Sequence, residues 1–150
     1  METTANKNTS TLLQLSAFTQ YFFPFGSFIF PTLIWSLKRN ESEFVNYNGK
    51  QAINFQLSLL LYSLVLVLIS VPAILYAIFN DLEVSISNNG DWIFEQFTTG
   101  RITWIVIVAL VAGFLFLLLK AAEFFLIFYA SVKNSNGETY DFPFTIKFLK

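Results

Sequence analysis

Residues 51–80 read QAINFQLSLLLYSLVLVLISVPAILYAIFN and contain no charged side chain. About 20 consecutive apolar residues cross the hydrocarbon core of a bilayer as a helix. Uncharged stretches also cover residues 8–37 and 102–119. The pattern predicts an all-α integral membrane protein with about three transmembrane helices and short interfacial segments. We place the three helices at residues 12–37, 51–79 and 102–130.

The composition agrees with a membrane location and excludes several kinds of catalysis. Only 13% of the residues are charged, about half the share found in a typical soluble domain. The chain has no His and no Cys, so it cannot form a Ser-His or Cys-His nucleophile pair or a Cys/His zinc site. The formal net charge of -1 gives no basic surface for nucleic acid. We expect a protein that is not an enzyme and has no cofactor, metal, nucleic acid or small-molecule substrate.

The first apolar stretch is interrupted near its middle. Pro24 lacks a backbone N–H donor, Gly26 relaxes the backbone, and Pro31 repeats the interruption. Two interpretations follow: one crossing broken at Pro24-Phe25-Gly26, or a re-entrant hairpin whose two short arms return to one face. We favour the broken crossing. In both cases protein or water must cover the freed backbone groups.

The segments at the start of the chain and before the second span are polar. Residues 1–11 predict a flexible N-terminal tail, followed by a single membrane domain over residues 12–150. Asn40 and Glu43 are spaced as in a capping box, which predicts a short interfacial helix from about Ser42.

Residues 80–100 carry four carboxylates and no base, and we predict an acidic external loop. Leu82, Val84 and Ile86 alternate with polar residues before a turn-forming Asn88-Asn89-Gly90-Asp91, which fits a small hairpin. An amphipathic helix after Asp91 fits as well, and both alternatives stay open.

Basic residues predict the orientation in the membrane. By the positive-inside rule, the loop between the first two spans and the C-terminal tail, residues 131–150, lie in the cytoplasm of a multi-pass bacterial inner membrane protein. In this tail, aromatic and aliphatic residues alternate with polar ones, which suits a strand or hook at the headgroup boundary. The basic residues on the cytoplasmic side are Lys38, Arg39, Lys50, Lys133, Lys147 and Lys150, against Lys7 and Arg101.

Polar residues of the second span recur three and four positions apart, so they share one helix face. They are Gln51, Asn54, Ser58 and Tyr62, which we call the polar line. Because polar groups facing lipid are costly, we expect them to pack within the chain, with an oligomer or partner contact, or a conduction path, as alternatives. In the third span, Ala109 and Gly113 form a small-xxx-small pair that permits close helix approach.

Lys120 and Glu123 are the charged residues within the predicted spans. Their i, i+3 spacing allows an ion pair on one helix face. We favour an arrangement in which Lys120 reaches the inner boundary with its ammonium group, over a role in an ion path or a subunit contact.

Several motifs together resemble a known family. They are LSAF at residues 15–18, PTLIWSLKR at 31–39, GKQAINFQLS at 49–58, NGE at 136–138 and PFTI at 143–146. The set resembles the small bacterial membrane proteins grouped as Tic-twenty-like, after the membrane-embedded subunit of the chloroplast inner-envelope protein translocon. The resemblance implies a helical inner-membrane protein without catalytic residues and suggests a part in a protein-conducting assembly.

These observations lead to one functional expectation and one alternative. We expect a non-enzymatic helical subunit or adaptor of a membrane protein assembly, linked to protein translocation. Its partners are the lipid bilayer and either another membrane protein or a second copy of the chain. The alternative is a small homo-oligomeric channel or transporter whose pathway uses Asn54, Ser58, Lys120 or Glu123.

Overall fold

The computed structural model describes residues 2–87 and 104–150, and it is all-helical as predicted. The described part contains four α-helices and a 3-10 helix over Ser16–Tyr21. The α-helices are α1 (Thr4–Leu15), α2 (Gly26–Lys38), α3 (Glu43–Ser87) and α4 (Trp104–Ser135).

Two of these helices are long and apolar enough to cross a membrane. The candidate spans are Glu43–Tyr76 in α3 and Val106–Ser135 in α4. In the most apolar window of each span, only 6% of the residues are buried. Leu68 and Leu117 are examples, with 64% and 68% of their surface exposed. Such exposure would be costly in water, but it suits helices whose outer faces contact lipid.

The chain divides into two compact units. One contains Met1–Leu61 and Lys120–Lys150, and the other contains Tyr62–Leu119. We call the first the capped unit, because the N- and C-terminal segments both pack in it. The second unit holds stretches of α3 and α4. The assignment of residues 12–150 to a single membrane domain stays a prediction.

The predicted first span is not one helix. The chain turns at Phe22–Phe25 between the 3-10 helix and α2, and Phe25 has a left-handed backbone with φ 61°. Helix α2 has 13 residues, a length of about 20 Å against about 30 Å for the hydrocarbon core. A third crossing is therefore not confirmed. Gln14 and Trp35, from opposite sides of the turn, both reach the first turns of α3, so the contacts fit the hairpin alternative.

Gly26 and Pro31, which we predicted to break the first span, have other roles in the structure. Gly26 is the first residue of α2 and lies against the backbone of the 3-10 helix, where an added Cβ would be 2.6 Å from the Thr19 carbonyl carbon. Its role is close packing rather than a break within a helix. The prediction that Pro31 interrupts the chain is wrong, because α2 continues through it. Pro31 is instead buried in the capped unit.

The polar segments are more helical than predicted. The tail at residues 1–11 enters α1 at Thr4, since the Thr3 hydroxyl accepts a hydrogen bond from the Asn6 N–H and caps the helix. The interfacial helix near Ser42 is the start of α3 itself. Its cap is Ser42 rather than Asn40, because the Ser42 hydroxyl accepts from the Phe44 N–H.

The acidic loop begins later than predicted. Helix α3 runs to Ser87, so the proposed strand over residues 82–86 is wrong. No proline or glycine interrupts the helix between Pro72 and residue 87. The predicted turn at residues 88–91 and the helix after Asp91 lie outside the described residues.

The core of the capped unit joins four of its parts. Buried residues from the 3-10 helix, α3, α4 and the C-terminal segment form one cluster: Ala17, Phe55, Ile127, Ala130 and Phe142. The rings of Phe55 and Phe142 stack with centroids 4.2 Å apart. This stack anchors the end of the chain to α3.

Candidate functional site

Residues 140–150, the C-terminal segment, dock on the polar line of α3. The buried Asn54 side chain donates to the Leu149 carbonyl at 3.0 Å and accepts from the Leu149 N–H at 2.8 Å. The Ser58 hydroxyl accepts from the Ile146 N–H at 2.8 Å and donates to the Asn54 carbonyl at 2.7 Å. Both side chains therefore recognise main-chain groups of the C-terminal segment.

The same helix face also holds the start of the segment. Asp141 accepts hydrogen bonds from the Gln51 amide and the Tyr47 hydroxyl, each at 2.6 Å. The Lys50 ammonium donates to the Lys150 carbonyl at 2.8 Å. The segment thus runs along α3 to Ser58 and returns to Lys50, with a turn at Pro143–Phe144. It is a hook and not a strand.

The aromatic side chains of the hook do not all point to one face, as they would in an alternating strand. Phe142 points inward, but Phe144 has φ 57° and is 88% exposed, because the turn reverses the side-chain direction. Tyr140 packs edge-on against Tyr129 of α4, with ring centroids 5.2 Å apart. Burial of its phenol, and then the proximity of Tyr129, raise the pKa of Tyr140 above its usual value.

A second polar cluster was not predicted from the sequence. The buried Gln14 side chain donates to the Asn134 side chain at 3.3 Å and to the Asn48 carbonyl at 3.4 Å. The Asn48 side chain accepts from the Tyr140 N–H at 3.3 Å. These contacts tie α1, α3, α4 and the hook together. The signal in the sequence is weak, since each residue is a single amide on a different helix.

Lys120 and Glu123 form the predicted ion pair, at 2.8 Å. The 3-10 helix supplies a partner to both, because Gln20 donates to Glu123 at 2.9 Å and accepts from Lys120 at 3.1 Å. The Glu123 side chain is 2% exposed and that of Lys120 is 40% exposed. The carboxylate is thus deep in the capped unit while the ammonium reaches its surface, as expected for a long side chain near a boundary.

The other candidate residues lie in the second unit. Tyr62 is half-buried, whereas Ala109 and Gly113 are exposed. An added Cβ on Gly113 would have no described atom within 4 Å. The small pair therefore leaves an open surface on α4 within a single chain.

A cavity of about 660 Å³ opens where α3 meets the hook. Its charged lining residues are Glu2, Glu43, Lys50, Lys147 and Lys150. Among the described residues, no three His, Cys, Asp or Glu side chains come together as a metal site would require.

A comparison with known protein families covers almost the whole length of the chain. The profile of the magnetosome magnetite crystal formation protein family, MamF/MmsF, matches residues 5–149. The chain belongs to the MamF/MmsF family. The resemblance to the Tic-twenty-like family is therefore wrong, and the link to protein translocation has no support. No curated protein and no solved structure matches the chain.

The correction has a physical reason. The motifs that suggested the other family, such as the GKQAINFQLS stretch of α3, combine an apolar helix with small and amide residues. Here the polar residues of this stretch hold the chain's own hook, a packing role that does not by itself identify a family. The MamF/MmsF match covers the α1 and hook regions as well as the helices.

Proposed function

We propose that this MamF/MmsF protein is a non-enzymatic membrane protein that contributes to magnetite crystal formation from within the magnetosome membrane. The family match over residues 5–149 carries the proposal, because it covers both candidate spans and nearly all of the capped unit. The family description names crystal formation and no reaction.

The side-chain chemistry supports a structural role. Gln51, Asn54 and Ser58 of the polar line bind the hook, and Glu123 is bound by both Lys120 and Gln20. Buried polar groups that satisfy each other fix one arrangement of the helices. The chain also lacks the His and Cys nucleophiles that many hydrolases and redox enzymes use. We propose that it works as a helical subunit or adaptor.

The partner of such a subunit is a membrane protein or a second copy of the chain. The exposed face of α4 around Ala109 and Gly113 supports this choice, because small residues allow two helices to approach closely in lipid. We propose that this face contributes to the assembly that organises the growing crystal.

The test is deletion of the gene, followed by complementation with wild-type or variant copies, in a magnetite-forming bacterium that encodes this chain. We expect a deletion to reduce crystal size or number in electron micrographs, and the wild-type gene to restore them. A double variant Asn54→Ala/Ser58→Ala, which loosens the hook, should restore them poorly. Ser70→Ala is the matched control, because the Ser70 hydroxyl bonds to the Leu66 carbonyl of its own helix. Unchanged crystals after deletion would contradict the proposal.

A parallel experiment separates this proposal from the channel alternative. The double variant Lys120→Leu/Glu123→Leu removes both charges of the ion pair. If the pair lined a conduction path, ion flux into proteoliposomes should disappear in this variant. A subunit role predicts equal flux in wild type and variant.

A further inference from the structure

We propose that the cavity between the first turns of α3 and the hook is a binding site for a phosphate group. Lys50, Lys147 and Lys150 supply the positive charge. The phosphate can belong to an anionic lipid headgroup or be free in solution, and the experiment below distinguishes the two sources. The inference does not depend on the proposed role in crystal formation.

The first argument is the group of lysine side chains that line the cavity. Its lining holds three lysines and two glutamates, Glu2 and Glu43. In the described part of the chain, three other lysines each pair with a carboxylate: Lys38 with Glu41, Lys120 with Glu123, and Lys133 with Glu138. Among the described residues, no Asp or Glu side chain forms such a pair with Lys50, Lys147 or Lys150, and Lys50 instead binds a main-chain oxygen of Lys150. The cavity lining thus holds one more basic than acidic side chain.

The second argument is the donor geometry. An ammonium group has three N–H donors, and Lys50 uses one of them to hold the Lys150 carbonyl. Lys147 is exposed, as is Lys150, so their ammonium groups are accessible from solution. A phosphate carries several acceptor oxygens and can bind ammonium groups from more than one side. The hook thus places lysines from two distant parts of the chain around one space.

The third argument is the position of the cavity relative to the candidate membrane spans. It lies at the Glu43 end of the span Glu43–Tyr76. Phe148, next to Lys147 in the hook, is 47% exposed, so an apolar ring lies beside the basic side chains, as on segments that bind a membrane surface. Phosphates of lipid headgroups lie at this depth, where basic residues bind anionic lipids.

The experiment uses the full chain purified in mild detergent and titrated with phosphatidylglycerol or phosphatidylcholine of identical acyl chains. Native mass spectrometry counts the bound lipid. A second arm titrates inorganic phosphate without lipid and follows binding by calorimetry. The variant Lys147→Gln/Lys150→Gln removes two positive charges from the cavity. Lys38→Gln is the matched control, because Lys38 lies outside the cavity lining and its exposed pair with Glu41 contributes little to stability.

If the site binds a lipid phosphate, wild type and Lys38→Gln should both prefer phosphatidylglycerol. The Lys147→Gln/Lys150→Gln variant should lose roughly 10- to 30-fold of that preference, since each basic residue near an anionic surface contributes about fivefold. Glu43→Gln should strengthen the preference for phosphatidylglycerol, because it removes a negative charge from the lining. Binding of inorganic phosphate without lipid preference, and dependent on the same lysines, would assign the site to free phosphate.

Two results would overturn the proposal. One is the absence of both the lipid preference and phosphate binding in wild type. The other is equal binding by wild type and the Lys147→Gln/Lys150→Gln variant. Circular dichroism, together with hydrogen exchange of the Leu149 amide, verifies that the variant keeps its helices and its docked hook.

Discussion

Asn54 and Leu149 form a closed ring of two hydrogen bonds, in which one side-chain amide satisfies both main-chain groups of a residue 95 positions away. Asn54 is 1% exposed, so water cannot easily replace these bonds. An amide in a membrane helix is costly unless it finds a partner. The hook supplies that partner, so its docking offsets the cost of a polar side chain near the start of α3.

Replacement of Asn54 by Ala should loosen the hook. The variant removes the donor and the acceptor for Leu149, and loss of such buried hydrogen bonds costs about 1 to 3 kcal/mol. We expect faster hydrogen exchange in peptides that contain residues 146–150, with little change in α4. Hydrogen exchange followed by mass spectrometry provides the measurement. Unchanged protection of these peptides would mean that the aromatic stack holds the hook without Asn54.

Ser58→Ala should expose the Ile146 amide, whereas Ser70→Ala should not. Both hydroxyls donate to the carbonyl four residues earlier in α3, but only that of Ser58 also accepts from the hook. We expect the opening free energy of the Ile146 amide to fall by about 0.5 to 1.5 kcal/mol in Ser58→Ala. Site-resolved hydrogen exchange by NMR in detergent micelles compares the pair. Equal effects of both variants would argue against a specific role of Ser58.

Replacing the two members of the Lys120–Glu123 ion pair should have unequal effects, because only Glu123 is buried. Lys120→Leu leaves the buried Glu123 carboxylate without its cation, which costs about 3 to 5 kcal/mol for a buried pair. Glu123→Leu should cost less, because the Lys120 side chain is 40% exposed and its ammonium can be solvated. The double variant should be more stable than Lys120→Leu. Denaturant unfolding in micelles measures all three, and the reverse order would contradict the assigned burial.

Replacing Gly137, just beyond the end of α4, by alanine should affect stability differently from replacing Gly113, within α4. Gly137 has φ +84°, and an added Cβ would be 2.7 Å from the Lys7 Cε. It also ends the helix, with the Gly137 and Glu138 N–H groups donating to Asn134 and Lys133 carbonyls. Gly137→Ala should therefore cost about 1 to 2 kcal/mol.

Gly113→Ala is the matched variant, at a helical position with open space around it. It should be neutral or stabilising by up to about 1 kcal/mol, because alanine favours helix. Thermal unfolding in detergent compares both variants. If Gly113→Ala instead weakens self-association in cross-linking, its surface is a contact between copies of the chain.

The sequence predicted that the protein is a helical membrane protein and that the side chains of the polar line need partners. Periodicity reveals which face of a helix is polar, and Gln51, Asn54 and Ser58 do share one face and do bind within the chain. The identity of the partner could not be predicted. The hook offers main-chain groups, which every residue has, so no side-chain pattern marked Ile146 or Leu149 as ligands of α3.

The path of the first apolar stretch could not be predicted from its sequence. Residues 12–37 have the length and hydropathy of a span, but length does not reveal whether a chain continues or folds back. The contacts that fit the hairpin join Gln14 and Trp35 to α3, 34 and 11 residues along the chain. Pro31 misled the prediction because a proline removes a hydrogen bond without necessarily ending a helix whose neighbours pack around it.

The docked hook also constrains biosynthesis. Asn54 leaves the ribosome 95 residues before Leu149, and at about 5 to 20 residues per second its partner follows about 5 to 20 s later. During that interval α3 must enter the bilayer with an unpaired amide near one end. The insertion machinery therefore receives a helix that is less apolar than its finished form, and the native fold of its polar end is completed only after Leu149 has been synthesised.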